Sequence, residues 1–502
     1  LCNSIFTYNS HIYTHDARAS KRDSRYKNPA YVSKGNKTPK KMYAHAQRRS
    51  ISSSESYTQS RYRHVLIKSI DITRKTSSSS TSSSSSSSSS ARSTPVTTTA
   101  QHENKNSNNC NAINILNWIE SISEENESLQ KKISIEENER GVRGIKSKTE
   151  LEPGEVILAV PWRFCFKDVV SWEAEANEGE DAAVTWSTRM GVRVLEEKAR
   201  ARESLFHEWI LSLPREHPWT PGISCASEDE IVELVRYRRC VEEAVALKRK
   251  HEESKAILKE RLDKIGCTGA DLDWAAALME SRCFKHGGLR CTAPGIDMCN
   301  HAGDLANCIV RFVKDAKGET KMKLQVSPDR FKAIEAGEEL TISYGYQSND
   351  IYFSYFGFVP NDNENDTALL FDTDDELASF IYESADEIGL NDTCKDIALV
   401  KSIIFEATKN SNRDKSFSLG TRGKIEKHLS DCLLALKLTN EQIASVVQKR
   451  CFEILTKGPF VGTTLKNDLE LAEAYPGQGI GICAAYRVSK KNIYAFPLNK
   501  KK

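Results

Sequence analysis

The chain has 502 residues, room for two or three domains, and its 71 Lys/Arg nearly balance its 69 Asp/Glu. The balance hides an asymmetry: residues 1–109 hold 18 basic and 5 acidic residues, against 53 and 64 in the rest. The body is mildly acidic, so it has no electrostatic footprint for nucleic acid, and no apolar run approaches the roughly 18 residues of a membrane span.

Fourteen cysteines occur without a C-x-x-C pair, and the spacing of Cys283, Cys291, Cys299 and Cys308 fits no tetrahedral zinc pattern. Without a secretory apolar segment, reduced and partly buried thiols are expected.

Residues 1–109 are rich in Ser, Thr, Asn, Lys and Arg, and Ser77 to Ser90 is serine broken only by Thr81. Such a segment cannot bury enough apolar surface to offset an ordering entropy of roughly 1–2 kcal/mol per residue, so a disordered basic extension is expected. Its composition also fits an organelle transit peptide, plastid or other; otherwise the compartment would be cytoplasm or nucleus.

Folded sequence is expected from about 110. Ile113, Ile115, Leu116, Trp118 and Ile119 suggest a short helix, and Val156 to Val160 a buried strand entered from the Pro153-Gly154 turn and ended by Pro161. Helical periodicity marks Val184 to Ala199 and Ser227 to Leu262, with a break at Pro214. The charge run Lys248 to Lys264 reads as a solvated helix face, and Trp274 to Met279 as a buried helix. Cys308 to Val313 and Lys321 to Val326 read as strands joined by a hairpin at Lys317-Gly318, and Glu339 to Tyr344 as a further strand. From about 372 the chain is helical again. Thr439 and Gln442 form a capping box, followed by the stripe Ile443, Val446, Val447, Cys451, Ile454, Leu455 and a stop at Gly458. The fold class is therefore α+β: a β-rich unit interrupted by helices, then a helical unit.

No phosphate loop, HExxH helix, GxSxG elbow or dinucleotide fingerprint is present. What remains is an ordered set: Arg143-Gly144-Ile145, Ser281-Arg282-Cys283-Phe284, Asp297-Met298-Cys299-Asn300-His301, Gly337-Glu338-Glu339-Leu340 to Tyr344-Gly345, and Phe356-Gly357-Phe358-Val359. Taken together and in this order, the set resembles the SET-domain methyltransferases, specifically the non-histone group typified by the Rubisco large-subunit lysine methyltransferase. Thr463 to Asp468 resembles a recurrent segment of that group's helical substrate-binding domain.

The resemblance implies a SET domain over 110–371 with a helical insert at about 168–275 and a helical substrate-binding domain over 372–485; beyond it, 486–502 is expected as a basic tail. It implies S-adenosyl-L-methionine as cofactor, no metal, and a monomer that takes its protein substrate through the helical domain. Arg282 would pair with the cofactor carboxylate, and Asn300 would accept from its ammonium. His301 would hold the adenine edge through its backbone. Arg143, Gly144 and Ile145 would let the backbone approach the methionine moiety, and Phe358 would stack on the adenine. Tyr344 would stand at the transfer itself, aligning methyl and amine. Each residue also has a plain structural reading: a salt bridge for Arg282, a satisfied core histidine for His301, and core aromatics for Phe358 and Tyr344. The group often reads Tyr-Gly-Phe where this chain has Phe356-Gly357-Phe358, so a hydroxyl is missing from the expected amine pocket. The expected activity is transfer to a lysine of a non-histone protein. A histidine target on the same fold, or an inactive binding adaptor, is the alternative.

Overall fold

The computed structural model describes residues 112–138, 142–170, 184–214, 237–409, 417–477 and 479–499. The expected extension 1–109 lies outside them. No described helix is long and apolar enough to cross a membrane. Nine of the eleven described cysteines are buried.

The first half is built from small sheets. Strand β1 (Ile133–Glu137) pairs antiparallel with β2 (Arg143–Ser147). Strands β3 (Val156–Pro161) and β4 (Phe166–Lys167) follow, with β5 (Phe284–His286), β6 (Leu289–Thr292), β7 (Asn300–His301), β8 (Cys308–Lys314), β9 (Thr320–Val326) and β10 (Glu339–Ile342) after the helical block. The sheets have the orders β1-β2-β10-β7, β3-β9-β8 and β4-β6-β5. The expected β8–β9 hairpin forms, with Gly318 supplying φ +80 at its turn. The strand β10 is central: it runs antiparallel to β2 through Leu340↔Ile145 and parallel to β7 through Thr341↔Asn300 and Ile342↔His301. Two segments 157 residues apart in the chain, Arg143 and Asn300, thereby meet across one sheet.

Helix α1 spans 112–121. The helical block between β4 and β5 contains α2 (Trp186–Ala199), α3 (His207–Ser212), α4 (Arg238–Lys264) and α5 (Gly269–Arg282). It therefore runs on to Arg282, seven residues beyond the expected limit, because the Thr268–Asp271 capping box starts α5 late and its apolar face is buried throughout. Helix α4 joins two cores. Tyr237, Cys240, Val241 and Ala244 at its start pack in the C-terminal core, while Leu258 and Leu262 at its end pack in the core of the sheets. From Lys248 to Lys264 its charged positions are exposed or half-buried, apart from the buried His251.

The C-terminal half contains α6 (Asp374–Ser384), α7 (Ile397–Thr408), α8 (Lys427–Ala435), α9 (Asn440–Thr456), α10 (Leu465–Ala474) and α11 (Gly479–Asn499). The predicted capping box at Thr439–Gln442 starts α9, which ends at Thr456. Strand β11 (Thr367–Phe371) pairs antiparallel with β12 (Phe417–Gly420), an element that the helical periodicity does not signal. The stretch expected as a basic tail from 486 is instead helix α11 as far as Asn499. Arg487, Lys490 and Lys491 are buried against Asp468, Asp366 and Asp350, so these charges of the expected basic tail are internally paired.

Candidate functional site

The structure brings all the predicted site residues together around the β2–β10–β7 seam. Arg143, Gly144 and Ile145 lie on β2. Ile145 is 1 % exposed and turns its side chain into the core, so it serves the site through its backbone alone. At Gly144 an added Cβ would stand 2.9 Å from Asn300 Nδ2 and still closer to Glu339 Oε1, so any larger residue must displace these side chains. Asn300 Nδ2 donates to the Arg143 carbonyl at 3.1 Å and to Glu339 Oε1 at 2.6 Å, which leaves the amide oxygen as an acceptor.

Arg282 is the last residue of α5. Its Nη1 donates to the Asp297 carbonyl oxygen at 2.8 Å and lies 3.3 Å from the Asp297 carboxylate. That carboxylate also accepts from Trp209 Nε1 at 3.2 Å and from the Gly295 N–H at 2.9 Å. Arg143 Nη1 donates to the Ser212 carbonyl at the end of α3. Burial, aided by repulsion from Arg282, lowers the Arg143 guanidinium to about 10. Arg143 Nη2 and Arg282 Nε are both buried without a hydrogen-bond partner. Each guanidinium therefore keeps one unused donor.

Tyr344 follows β10. Its N–H donates to His301 Nδ1 at 3.0 Å and its hydroxyl donates to the Cys299 carbonyl at 2.8 Å. Burial pushes the phenol well above its usual range, with Arg282 acting in the opposite sense. The proton is thus held, and the oxygen lone pairs remain free to accept. His301 is lowered to about 4 by burial, so its imidazole is neutral and accepts through Nδ1. It is a fixed support for the Tyr344 backbone, not a base.

An aromatic cluster closes the site. The Phe358 ring centroid lies 5.8 Å from His301 and 6.2 Å from Tyr344, and Phe356 lies 5.0 Å from Tyr344. The Tyr352–Phe356 segment is a single π-helical turn closed by Gly357 at φ +71. The turn brings in Tyr352, whose ring lies 4.7 Å from His301 and whose hydroxyl donates to the Gly345 carbonyl. Burial raises this phenol to about 12. The sequence reading missed Tyr352 and gave no role to Asp297, Glu339 or Trp209. The signal for Asp297 and Glu339 lay in the quoted motifs, but their partners come from other segments.

Residues 142–345 match the family model of the SET domain. The fold is also shared with solved structures. One is the SET domain of LSMT bound to lysine and AdoHcy (17% identity, TM-score 0.54), covering 77% of this chain and 89% of that one. Another is Rubisco LSMT bound to AdoMet (16% identity, TM-score 0.53), covering 77% and 90%. No curated protein matches. The chain contains a SET domain, the fold of a class of methyltransferases. Over 77% of the chain the fold is similar to that of the Rubisco LSMT structures.

Proposed function

We propose that this protein is an S-adenosyl-L-methionine-dependent protein-lysine N-methyltransferase acting on a non-histone protein. The observation that carries the reading is a set of unused polar groups on residues of this site: the Arg143 Nη2 and Arg282 Nε donors and the Asn300 amide oxygen. An α-amino acid moiety, with one carboxylate and one ammonium, meets both requirements at once. Solved proteins of this fold hold AdoMet, or AdoHcy together with lysine, which supports the same assignment. When bound, the cofactor supplies a methyl group on a cationic sulfur.

The chain's own residues do the positioning. Arg143 and Arg282 would bind the carboxylate, and Asn300 the ammonium. Gly144 lets the β2 backbone come close, and Phe358 offers a ring face for the adenine. Tyr344, its proton committed to the Cys299 carbonyl, accepts from the incoming amine and fixes its direction. The Cys299 carbonyl and the Tyr344 oxygen favour the positive charge that develops on nitrogen. A free lysine titrates near 10.4, so the aromatic walls must exclude water for the amine to lose its proton. We further propose that the protein substrate docks on the helical C-terminal half and that the chain acts as a monomer.

The test is incubation with labelled S-adenosylmethionine and a proteome extract, followed by mass spectrometry of the modified side chain. Modified lysine is expected; modified histidine would move the target and keep the reaction class. Tyr344→Phe should lower turnover by about 10²-fold or more and leave the Kd for S-adenosylhomocysteine within about twofold. A wild-type chain that binds no S-adenosylhomocysteine would be an adaptor, not an enzyme.

A further inference from the structure

Helix α11 lies far along the chain from the site, yet it holds the turn that carries two walls of the aromatic cluster. Lys490 is fully buried. Its Nζ donates to Asp366 Oδ1 at 2.7 Å and to the Thr367 carbonyl at 2.7 Å, and lies 3.3 Å from Asp350 Oδ2. The Tyr486 hydroxyl, one turn earlier on α11, donates to Asp350 Oδ1. Asp350 sits in the short helix Asn349–Ile351, which leads directly into the π turn Tyr352–Phe356. Asp366 Oδ1 also accepts the Asn349 N–H at 2.9 Å, so one lysine ties this lead-in at Asp350 directly and at Asn349 through Asp366. Phe353, inside the π turn, packs on Tyr486 with ring centroids 4.8 Å apart. From the other end, the Tyr352 hydroxyl holds the Gly345 carbonyl, one residue after Tyr344.

We infer that Lys490, with Tyr486, is a positioning residue for the transfer site: α11 sets the π turn, and through Tyr352, Phe356 and Gly345 it sets the orientation of Tyr344. This rests on the methyltransferase reading of the same site. The physical case is geometric. A buried cation between two carboxylates has few alternative arrangements, because breaking any one pair strands a charge. A π turn, by contrast, is a weak local structure that needs outside support. The support comes from the C-terminal half, so that half does more than dock a partner: the site is incomplete without its last helix.

The experiment compares Lys490→Met and Tyr486→Phe in the full chain. Lys490→Met removes the charge; Tyr486→Phe removes one hydroxyl, leaves Lys490 paired, and carries the test alone if the first variant does not fold. The expected result is a fall in kcat of about tenfold for Lys490→Met and about threefold for Tyr486→Phe, with KM and the Kd for S-adenosylhomocysteine within about twofold. In protein labelled with 3-fluorotyrosine, the Tyr352 resonance, assigned by its loss in Tyr352→Phe, should shift or broaden in both variants well below their unfolding temperatures. A rise in KM at constant kcat would make α11 a substrate-docking element and overturn the inference. So would an unmoved Tyr352 resonance. The fluorine signal needs no turnover, so an inactive wild-type chain would overturn the methyltransferase reading and leave this one to the spectrum.

Discussion

Replacing Gly144 with alanine tests whether the three-segment seam is the binding site. The β2 backbone cannot retreat, because it is paired to β1 through Glu136↔Gly144 and to β10 through Leu340↔Ile145. The new methyl would meet the Glu339 carboxylate and the Asn300 amide, which are joined at 2.6 Å. The carboxylate is the end of a flexible side chain, so it moves and that bond is lost. A hydrogen bond to a charged group contributes about 1.5–3 kcal/mol; both partners here are half-buried, which favours the lower end. Alanine also restricts the unfolded chain, an offset of about 0.4–1 kcal/mol. The net loss of stability is then only about 1 kcal/mol. Binding should suffer more: once Glu339 no longer orients the Asn300 amide, affinity for S-adenosylhomocysteine should fall about tenfold, equivalent to about 1.4 kcal/mol. Calorimetric titration and urea unfolding of Gly144→Ala, Glu339→Ala and the double variant measure both quantities. The double variant should cost less than the sum of the singles by about 1–2 kcal/mol, since the carboxylate in the way is gone. Additive costs, or unchanged affinity in Gly144→Ala, would refute the argument.

The low His301 value predicts a pH dependence. Above the usual 6.5 the imidazole is neutral both folded and unfolded; below it the unfolded chain takes up a proton that the folded chain refuses until about 4. Its contribution to stability is therefore complete above 6.5 and is lost as pH falls through 4. His301→Asn keeps an acceptor for the Tyr344 N–H without titrating, and should flatten the unfolding midpoint across that window; an unchanged profile would remove His301 as its source. Arg282→Lys keeps the charge but removes the unpartnered Nε, and should weaken S-adenosylhomocysteine binding about 10- to 100-fold in a calorimetric titration. A Kd within about twofold of wild type would show that this donor does not face the ligand.

Much of the site could be read from the sequence because its residues come as short runs, each carrying its own local signal: Arg143-Gly144, Asn300-His301 and Tyr344-Gly345 all fall at strand ends or turns. Asp297 was visible only as part of a motif. Its role depends on Trp209, 88 residues away, and on Arg282, 15 away, and no periodicity links such partners. Tyr352 was missed for a different reason. It lies outside the quoted motif, and only the π turn Tyr352–Phe356 brings its ring to His301.

Two helices show how charge is sorted. In α4 the buried Leu258 and Leu262 are four residues apart, and most lysines and glutamates from Lys248 to Lys264 fall off that line. In α11 Tyr486 and Tyr494 are eight apart, and Lys490 stands midway, one turn from each on the same face. A lysine on the line between two aromatic residues goes inside with them, and a buried ammonium needs carboxylates. The sequence could therefore have shown that Lys490 was buried and that acidic partners had to exist. It could not have shown that those partners are Asp350 and Asp366, because they come from the segment that carries the aromatic cluster, more than a hundred residues earlier in the chain. That long connection is what ties the last helix to the site.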